Sequence, residues 1–170
     1  MHSLKVLILE DNPFQMIALH QMLNANQVFD VLTADCVEAA QRSLELRGPV
    51  DIAICDLQME GQDGLSLIGH LAASGMARAV IILSSAEDAV LDSAAQLARQ
   101  QGINVLGIMR KPASVAAIGG LLSKWLLGQA GAAQVETPLA MSGAPALGAL
   151  DPAHDYTSQW IAHFQPKVSL

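Results

Sequence analysis

The chain has 170 residues, of which 52% are hydrophobic and only 4% aromatic, and its formal net charge is −7. This length allows one domain of ordinary size and a tail, and the negative charge gives no electrostatic reason to expect a nucleic-acid partner. No apolar run approaches the roughly 20 residues that cross a membrane, and the start of the chain has no signal-peptide pattern, so we expect a cytoplasmic protein without a membrane partner.

The first 127 residues alternate between two kinds of pattern. Short apolar runs rich in β-branched residues indicate strands that are buried on both faces of a parallel sheet. These runs are Leu4–Leu9, Phe29–Thr33, Val50–Cys55, Ala79–Leu83 and Val105–Met109. Apolar residues at helical spacing predict five helices between and after them, and Asn12 and Asp35 are the expected N-caps of the first two. The predicted helices cover about 13–24, 36–47, 65–71, 90–98 and 114–127.

Five strands that alternate with five helices predict a doubly wound α/β domain with a five-stranded parallel sheet and right-handed crossovers. In the flavodoxin-like strand order 2-1-3-4-5, we expect strands 1, 3 and 5 to lie side by side. Ligands of such sheets bind at the carboxyl ends of the strands.

The cysteines and histidines do not point to a metal or redox site. Cys36 and Cys55 are far apart and form no redox motif, so we expect both thiols to be reduced. The five histidines likewise lack the spacing of metal ligands.

Charged or hydroxyl-bearing residues stand at the carboxyl ends of four predicted strands. They are Glu10 and Asp11, Asp56, Ser84, and Lys111. Each of them alone is an ordinary loop residue or salt-bridge partner, but their joint placement indicates one crevice. Three converging carboxylates call for a cation, and an oxygen-only ligand set suits Mg²⁺. A lysine can offset the charge of a phosphoryl group and a serine can donate to its oxygens, which leaves Asp56 as the nucleophile of aspartyl-phosphate chemistry.

At this point the motifs resemble a known family, the receiver domain of two-component response regulators, over about residues 4 to 127. The residues that carry the resemblance are Glu10-Asp11, Asp56-Leu57-Gln58-Met59, Asp63-Gly64, Ser84 and Lys111-Pro112. The resemblance implies that Asp56 accepts a phosphoryl group from a histidine kinase or a phosphotransfer protein. It also implies no independent enzyme activity beyond Mg²⁺-dependent self-phosphorylation and dephosphorylation.

The same resemblance implies a role for each remaining site residue. Asp11 would ligate Mg²⁺ directly and Glu10 mainly through water. The backbone carbonyl of Gln58 would join the phosphoacceptor carboxylate as a further protein ligand of the metal. Ser84 would be the switch hydroxyl, and Lys111 would be the amine that contacts the phosphoryl group.

Some positions depart from the family pattern. Glu60 stands where proline is usual, and Ile108 stands where an aromatic rotamer switch is usual; Ser85 places a second hydroxyl beside Ser84. The alternative of a pseudo-receiver, an unphosphorylated protein-interaction module, therefore stays open. A flavin or nucleotide carrier on the same fold is disfavoured, because the acidic pair Glu10-Asp11 would repel its phosphate.

The composition changes after Leu127. Residues 128–150 are rich in Ala, Gly and Pro and contain one charged residue, Glu136, which is typical of a linker. Residues 151–170 include His163–Val168, a run that resembles the first strand of an EAL-type cyclic-di-GMP phosphodiesterase domain. The implied organisation is a receiver domain at 1–127, a linker at 128–150 and the truncated start of an output domain at 151–170. The receiver would regulate this output domain, whose full-length parent would hydrolyse cyclic-di-GMP, and the fourth and fifth helices offer faces for a homodimer.

Overall fold

The computed structural model describes residues 3–59 and 62–132. They belong to the first of two compact units of the chain, Met1–Glu136. Glu60, most of the predicted linker and the predicted output segment 151–170 lie outside the described residues, so the expectations for them stay predictions.

Seven strands are present in the described part of the chain. They are β1 (Lys5–Leu9), β2 (Asp30–Ala34), β3 (Val50–Asp56), β4 (Gln58–Met59), β5 (Gln62–Asp63), β6 (Ala77–Ser84) and β7 (Asn104–Arg110). Five of them form one parallel sheet in the order β2-β1-β3-β6-β7, whereas β4 and β5 pair with each other as an antiparallel hairpin. Since β6 and β7 are the fourth and fifth strands of this sheet along the chain, the predicted doubly wound class and flavodoxin-like order are confirmed.

One expectation about the sheet is wrong. Strands 1, 3 and 5 were expected to lie side by side, but β6 lies between β3 and β7. Asp56 ends β3 and Lys111 follows β7, so the end of β6 at Ser84 separates them. A side chain that joins Lys111 to Asp56 must therefore cross the end of β6.

Five helices cover the two faces of the sheet. They are α1 (Pro13–Ala25), α2 (Val37–Arg47), α3 (Gly64–Ser74), α4 (Asp88–Gln100) and α5 (Val115–Ala132). Successive residues of a strand face opposite sides of the sheet. Leu7 belongs to the apolar cluster that includes α2, α3 and α4, and Ile8 belongs to the cluster that includes α1 and α5. Two apolar clusters, one on each face, hold the carboxyl ends of the strands in a fixed position.

The helix starts follow the sequence expectations in one case and not in the other. Asn12 caps α1, since its Oδ1 accepts hydrogen bonds from the N–H groups of Phe14 at 3.0 Å and Gln15 at 3.1 Å. The N-cap of α2 is Cys36 instead of Asp35, and it makes no capping hydrogen bond through its side chain. No helix within residues 3–59 and 62–132 is long and apolar enough to cross a membrane.

Candidate functional site

The carboxylates predicted to form a site meet at the carboxyl ends of β1 and β3. Leu9 of β1 pairs with Cys55 of β3, so Glu10 and Asp56 leave the sheet at the same level. Both are fully buried, while Asp11 is partly exposed. One oxygen from each of the three side chains lies within 4.8 Å of the others. The parallel register therefore brings together residues that are 46 positions apart in sequence (Glu10 to Asp56).

Lys111 joins two of these carboxylates. Its Nζ donates hydrogen bonds to Asp56 Oδ2 at 2.7 Å and to Glu10 Oε2 at 2.8 Å. Its backbone N–H donates to the carbonyl of Ser84 at 3.1 Å, which fixes the start of the side chain beside the end of β6. The long lysine stem crosses that strand end, and only 11% of the side chain is exposed.

The electrostatics of this cluster follow from its burial. Burial raises the pKa of Glu10, and the hydrogen bond and charge of Lys111 only partly oppose that effect. Burial alone would lower the pKa of Lys111, but its hydrogen bonds to Asp56 and Glu10 outweigh it and the pKa is raised. With one ammonium facing three carboxyl groups, the ionised cluster has an excess of negative charge that a divalent cation would balance.

The donor chemistry of the cluster fits Mg²⁺. All its side-chain ligand atoms are oxygens, and the crevice above them has a volume of about 520 Å³. This space admits both a metal that keeps several waters and a phosphoryl group. Asp11, Glu10 and Asp56 are thus brought together as predicted, whereas the role of the Gln58 backbone carbonyl as a metal ligand stays a prediction.

The loop after β3 approaches Asp56 closely. The backbone N–H of Gln58 donates to Asp56 Oδ1 at 2.9 Å, which orients the carboxylate opposite Lys111. A Cβ atom at Gly64 would lie only 2.1 Å from the backbone oxygen of Asp56. The glycine of the Asp63-Gly64 motif is therefore needed sterically, because a residue with a Cβ could not let α3 begin so near Asp56.

The hydroxyl predicted at the end of β6 is present but engaged. Ser84 is fully buried, and its Oγ accepts a hydrogen bond from the N–H of Ala86 at 3.1 Å. Ser85 lines the crevice, and its N–H donates to Oε1 of Gln58 at 3.2 Å. Sequence reasoning missed this link between the β3 and β6 loops, since glutamine after an aspartate carries no recognisable signal of it.

Ile108, at the position where an aromatic residue was expected, is half-buried. It packs against the apolar cluster beneath α2, α3 and α4. An aliphatic side chain in this position lacks the ring and hydroxyl that an aromatic switch would move.

The chain is similar to known proteins of one family. Residues 6–119 match the response regulator receiver domain. The chain is 35% identical over 171 aligned residues to the cyclic di-GMP phosphodiesterase RocR of Pseudomonas aeruginosa, an alignment that covers 100% of this chain and 42% of that protein. The chain thus spans less than half the length of that curated relative.

Solved structures show the same fold. A response regulator from Colwellia psychrerythraea superposes with a TM-score of 0.61 at 26% identity, covering 74% of this chain and 99% of that chain. A response regulator receiver protein from Pseudomonas putida gives a TM-score of 0.61 at 24% identity, with 73% of this chain and 98% of the other covered.

Proposed function

The chain belongs to the family of response regulator receiver domains, and from this premise we propose that Asp56 accepts a phosphoryl group in a Mg²⁺-dependent reaction. The observation that carries the proposal is the cluster of Glu10, Asp11 and Asp56 facing Lys111. A fully buried carboxylate at a strand end is costly unless it is paired or used. Asp56 is paired with Lys111 and lies at the wall of the crevice.

The donor is a phosphohistidine of a histidine kinase or phosphotransfer protein. An oxygen of Asp56 forms a bond to phosphorus while the bond from phosphorus to the imidazole nitrogen breaks, and its electron pair leaves with the imidazole. Bound Mg²⁺ supplies neutralising charge at the phosphoryl oxygens. Asp11, Asp56 and the Gln58 backbone carbonyl would hold the metal directly, and Glu10 would hold it mainly through water.

Lys111 and Ser84 act on the product. Lys111 already lies 2.7 Å from Asp56 Oδ2, so its ammonium can follow the charge onto a phosphoryl oxygen. The hydroxyl of Ser84 turns from the N–H of Ala86 towards the phosphoryl group. This rotation of the side chain moves the loop that leads into α4. Ile108 takes no part as a rotamer switch, so the change is transmitted by the β6–α4 loop itself.

Phosphorylation regulates an attached output domain. The support is the match of the whole chain to a protein named as a cyclic di-GMP phosphodiesterase, of which it spans 42%. The sequence run His163–Val168 adds to it. We propose that the parent protein continues beyond Leu170 into a domain that hydrolyses cyclic-di-GMP; a stop codon or a DNA-binding domain in the coding sequence would contradict this.

The phosphoacceptor is tested by intact mass after incubation with phosphoramidate, with and without Mg²⁺. Wild type should gain one phosphoryl group only with Mg²⁺, and Asp56→Asn should gain none. Asp51→Asn is the matched control, because Asp51 lies in the same strand at its opposite end and should leave labelling intact. Absence of labelling in wild type, or equal labelling of Asp56→Asn, would contradict the proposal and favour the pseudo-receiver.

A further inference from the structure

We propose that Gln58 is a positioning residue that controls phosphorylation by occupying the backbone N–H of Ser85. Ser85 and Asp56 line the same crevice. In this proposal a phosphoryl group on Asp56 therefore accepts from the Ser85 N–H, and Gln58 must release that N–H before the product is fully stabilised. The inference rests on the proposed function of Asp56 as phosphoacceptor. It adds one element to that function: the side chain of Gln58 competes with the phosphoryl group for the N–H of Ser85.

The geometry places Gln58 between the two loops of the site. Its backbone N–H holds Asp56 Oδ1 at 2.9 Å, and its side-chain Oε1 accepts from the Ser85 N–H at 3.2 Å. Gln58, Ser85 and Asp56 all line the same crevice. One residue therefore ties the Asp56 carboxylate to the β6–α4 loop.

Four backbone N–H groups on the segments that follow β3 and β6 already have acceptors. The N–H of Leu57 donates to the carbonyl of Leu83 at 3.1 Å, and that of Gln58 donates to Asp56 itself. The N–H of Ala86 is taken by Ser84 Oγ, and the N–H of Ser85 by Gln58 Oε1. At each of these four groups, a phosphoryl oxygen can gain the donor by displacing the present acceptor.

Displacement costs least at Ser85. The acceptor of Leu57 is a backbone carbonyl held in the sheet, and the acceptor of Ala86 is a fully buried hydroxyl. Gln58 is exposed, so its amide can rotate into water and recover its hydrogen bonds there. A charged phosphoryl oxygen is also a stronger acceptor than a neutral amide, which favours the exchange.

The expected size of the effect follows from this exchange. A neutral, solvent-exposed hydrogen bond changes an equilibrium by about two- to tenfold. Removing the Gln58 acceptor should therefore raise the rate of phosphorylation and the affinity for the phosphoryl mimic beryllofluoride by about two- to tenfold. The amide hydrogen of Ser85 should also exchange with solvent faster, by a similar factor, before any phosphodonor is added.

The experiment uses Gln58→Ala and Gln58→Met, which both remove the acceptor, while methionine keeps most of the bulk. Gln15→Ala is the control, since it removes an amide from the α1 side of the same crevice without touching Ser85. Labelling by phosphoramidate, binding of beryllofluoride and exchange of the Ser85 amide are measured with saturating Mg²⁺. Both Gln58 variants should show all three increases, and the control none.

The outcomes separate the two proposals. If wild type is not labelled at all, the proposed function fails and this inference fails with it. If wild type is labelled but both Gln58 variants behave like it, only the role of Gln58 is overturned. If Gln58→Ala is faster and Gln58→Met is not, lost bulk explains the change, and the hydrogen-bond proposal is also overturned.

Discussion

The ammonium nitrogen of Lys111 lies 2.7 Å from Oδ2 of Asp56, although 55 residues separate them in sequence and β6 lies between their strands. The same nitrogen also holds Glu10 at 2.8 Å. One lysine thus pairs with two fully buried carboxylates, and it must be shared with any anion that enters the crevice. Its contribution to stability and its contribution to chemistry can be measured separately.

Replacing Lys111 by methionine should destabilise the metal-free protein by about 1–3 kcal/mol. The change keeps much of the apolar stem but leaves Glu10 and Asp56 without their cation. Urea unfolding without Mg²⁺ measures this loss. Lys124→Met is the control, because Lys124 is exposed on α5 and its change should stay within about 0.5 kcal/mol. Equal stabilities of the two variants would contradict the prediction.

Glu10 should make the metal-free protein less stable as the pH rises. Burial raises its pKa above the ordinary value of 4.5, despite the opposing bond from Lys111, so the folded state binds this proton more tightly than the unfolded chain does. The contribution of Glu10 to the free energy of unfolding is therefore fully present below the pKa of the unfolded chain. It is lost as the pH rises through the pKa of the folded protein. Glu10→Gln should be more stable than wild type at neutral pH, by a margin that shrinks as the pH falls towards the ordinary value.

Thermal unfolding of the two proteins across the acidic and neutral range tests this pH dependence. Adding Mg²⁺ should raise the Tm of wild type more than that of Glu10→Gln, since the variant has lost a charged oxygen from the cluster. Glu45→Gln, an exposed position on α2, serves as the control. A Glu10→Gln protein that is less stable than wild type at neutral pH would refute the burial argument.

Alanine at Gly64 should disturb the site much more than alanine at Gly120. A Cβ at Gly64 would lie 2.1 Å from the Asp56 carbonyl oxygen, and a strand backbone cannot move away cheaply. We expect a loss of about 1–3 kcal/mol or more, together with weaker labelling of Asp56. Nothing lies within 4 Å of a Cβ at Gly120, so alanine there should stabilise α5 by about 0.5–1 kcal/mol. Similar unfolding midpoints for the two variants would count against this steric assignment.

The two thiols should differ sharply in reactivity. Burial, with the Asp56 charge as a smaller cause, raises the pKa of Cys55 to about 12, whereas Cys36 is partly exposed. Iodoacetamide should therefore modify Cys36 alone in the folded protein and both cysteines in denaturant. Peptide mass mapping identifies the modified thiol, and Cys36→Ser should abolish native labelling. Modification of Cys55 under native conditions would show that the β3 layer opens more readily than its packing indicates.

Local patterns were sufficient for most of the fold. The five strands of the parallel sheet are short and mainly apolar runs, and Asn12-Pro13 marks the start of α1. Both signals depend only on neighbours in sequence. The β4–β5 hairpin was missed, since each strand has only two residues and no periodicity can be read from two positions. The cap of α2 was misplaced by one residue because Asp35 and Cys36 both precede the helix and only the backbone decides between them.

The sequence by itself determined which residues stand at the carboxyl ends of the strands, because strand ends are marked by local changes from apolar to polar residues. It thereby predicted the cluster of Glu10, Asp11 and Asp56 with Lys111. Only the tertiary structure decided which atoms pair: Lys111 reaches across β6 to two carboxylates, and Gln58 holds the Ser85 amide. Those choices depend on side chains that distant segments bring within 3.5 Å of one another, and no local pattern of the chain encodes that geometry.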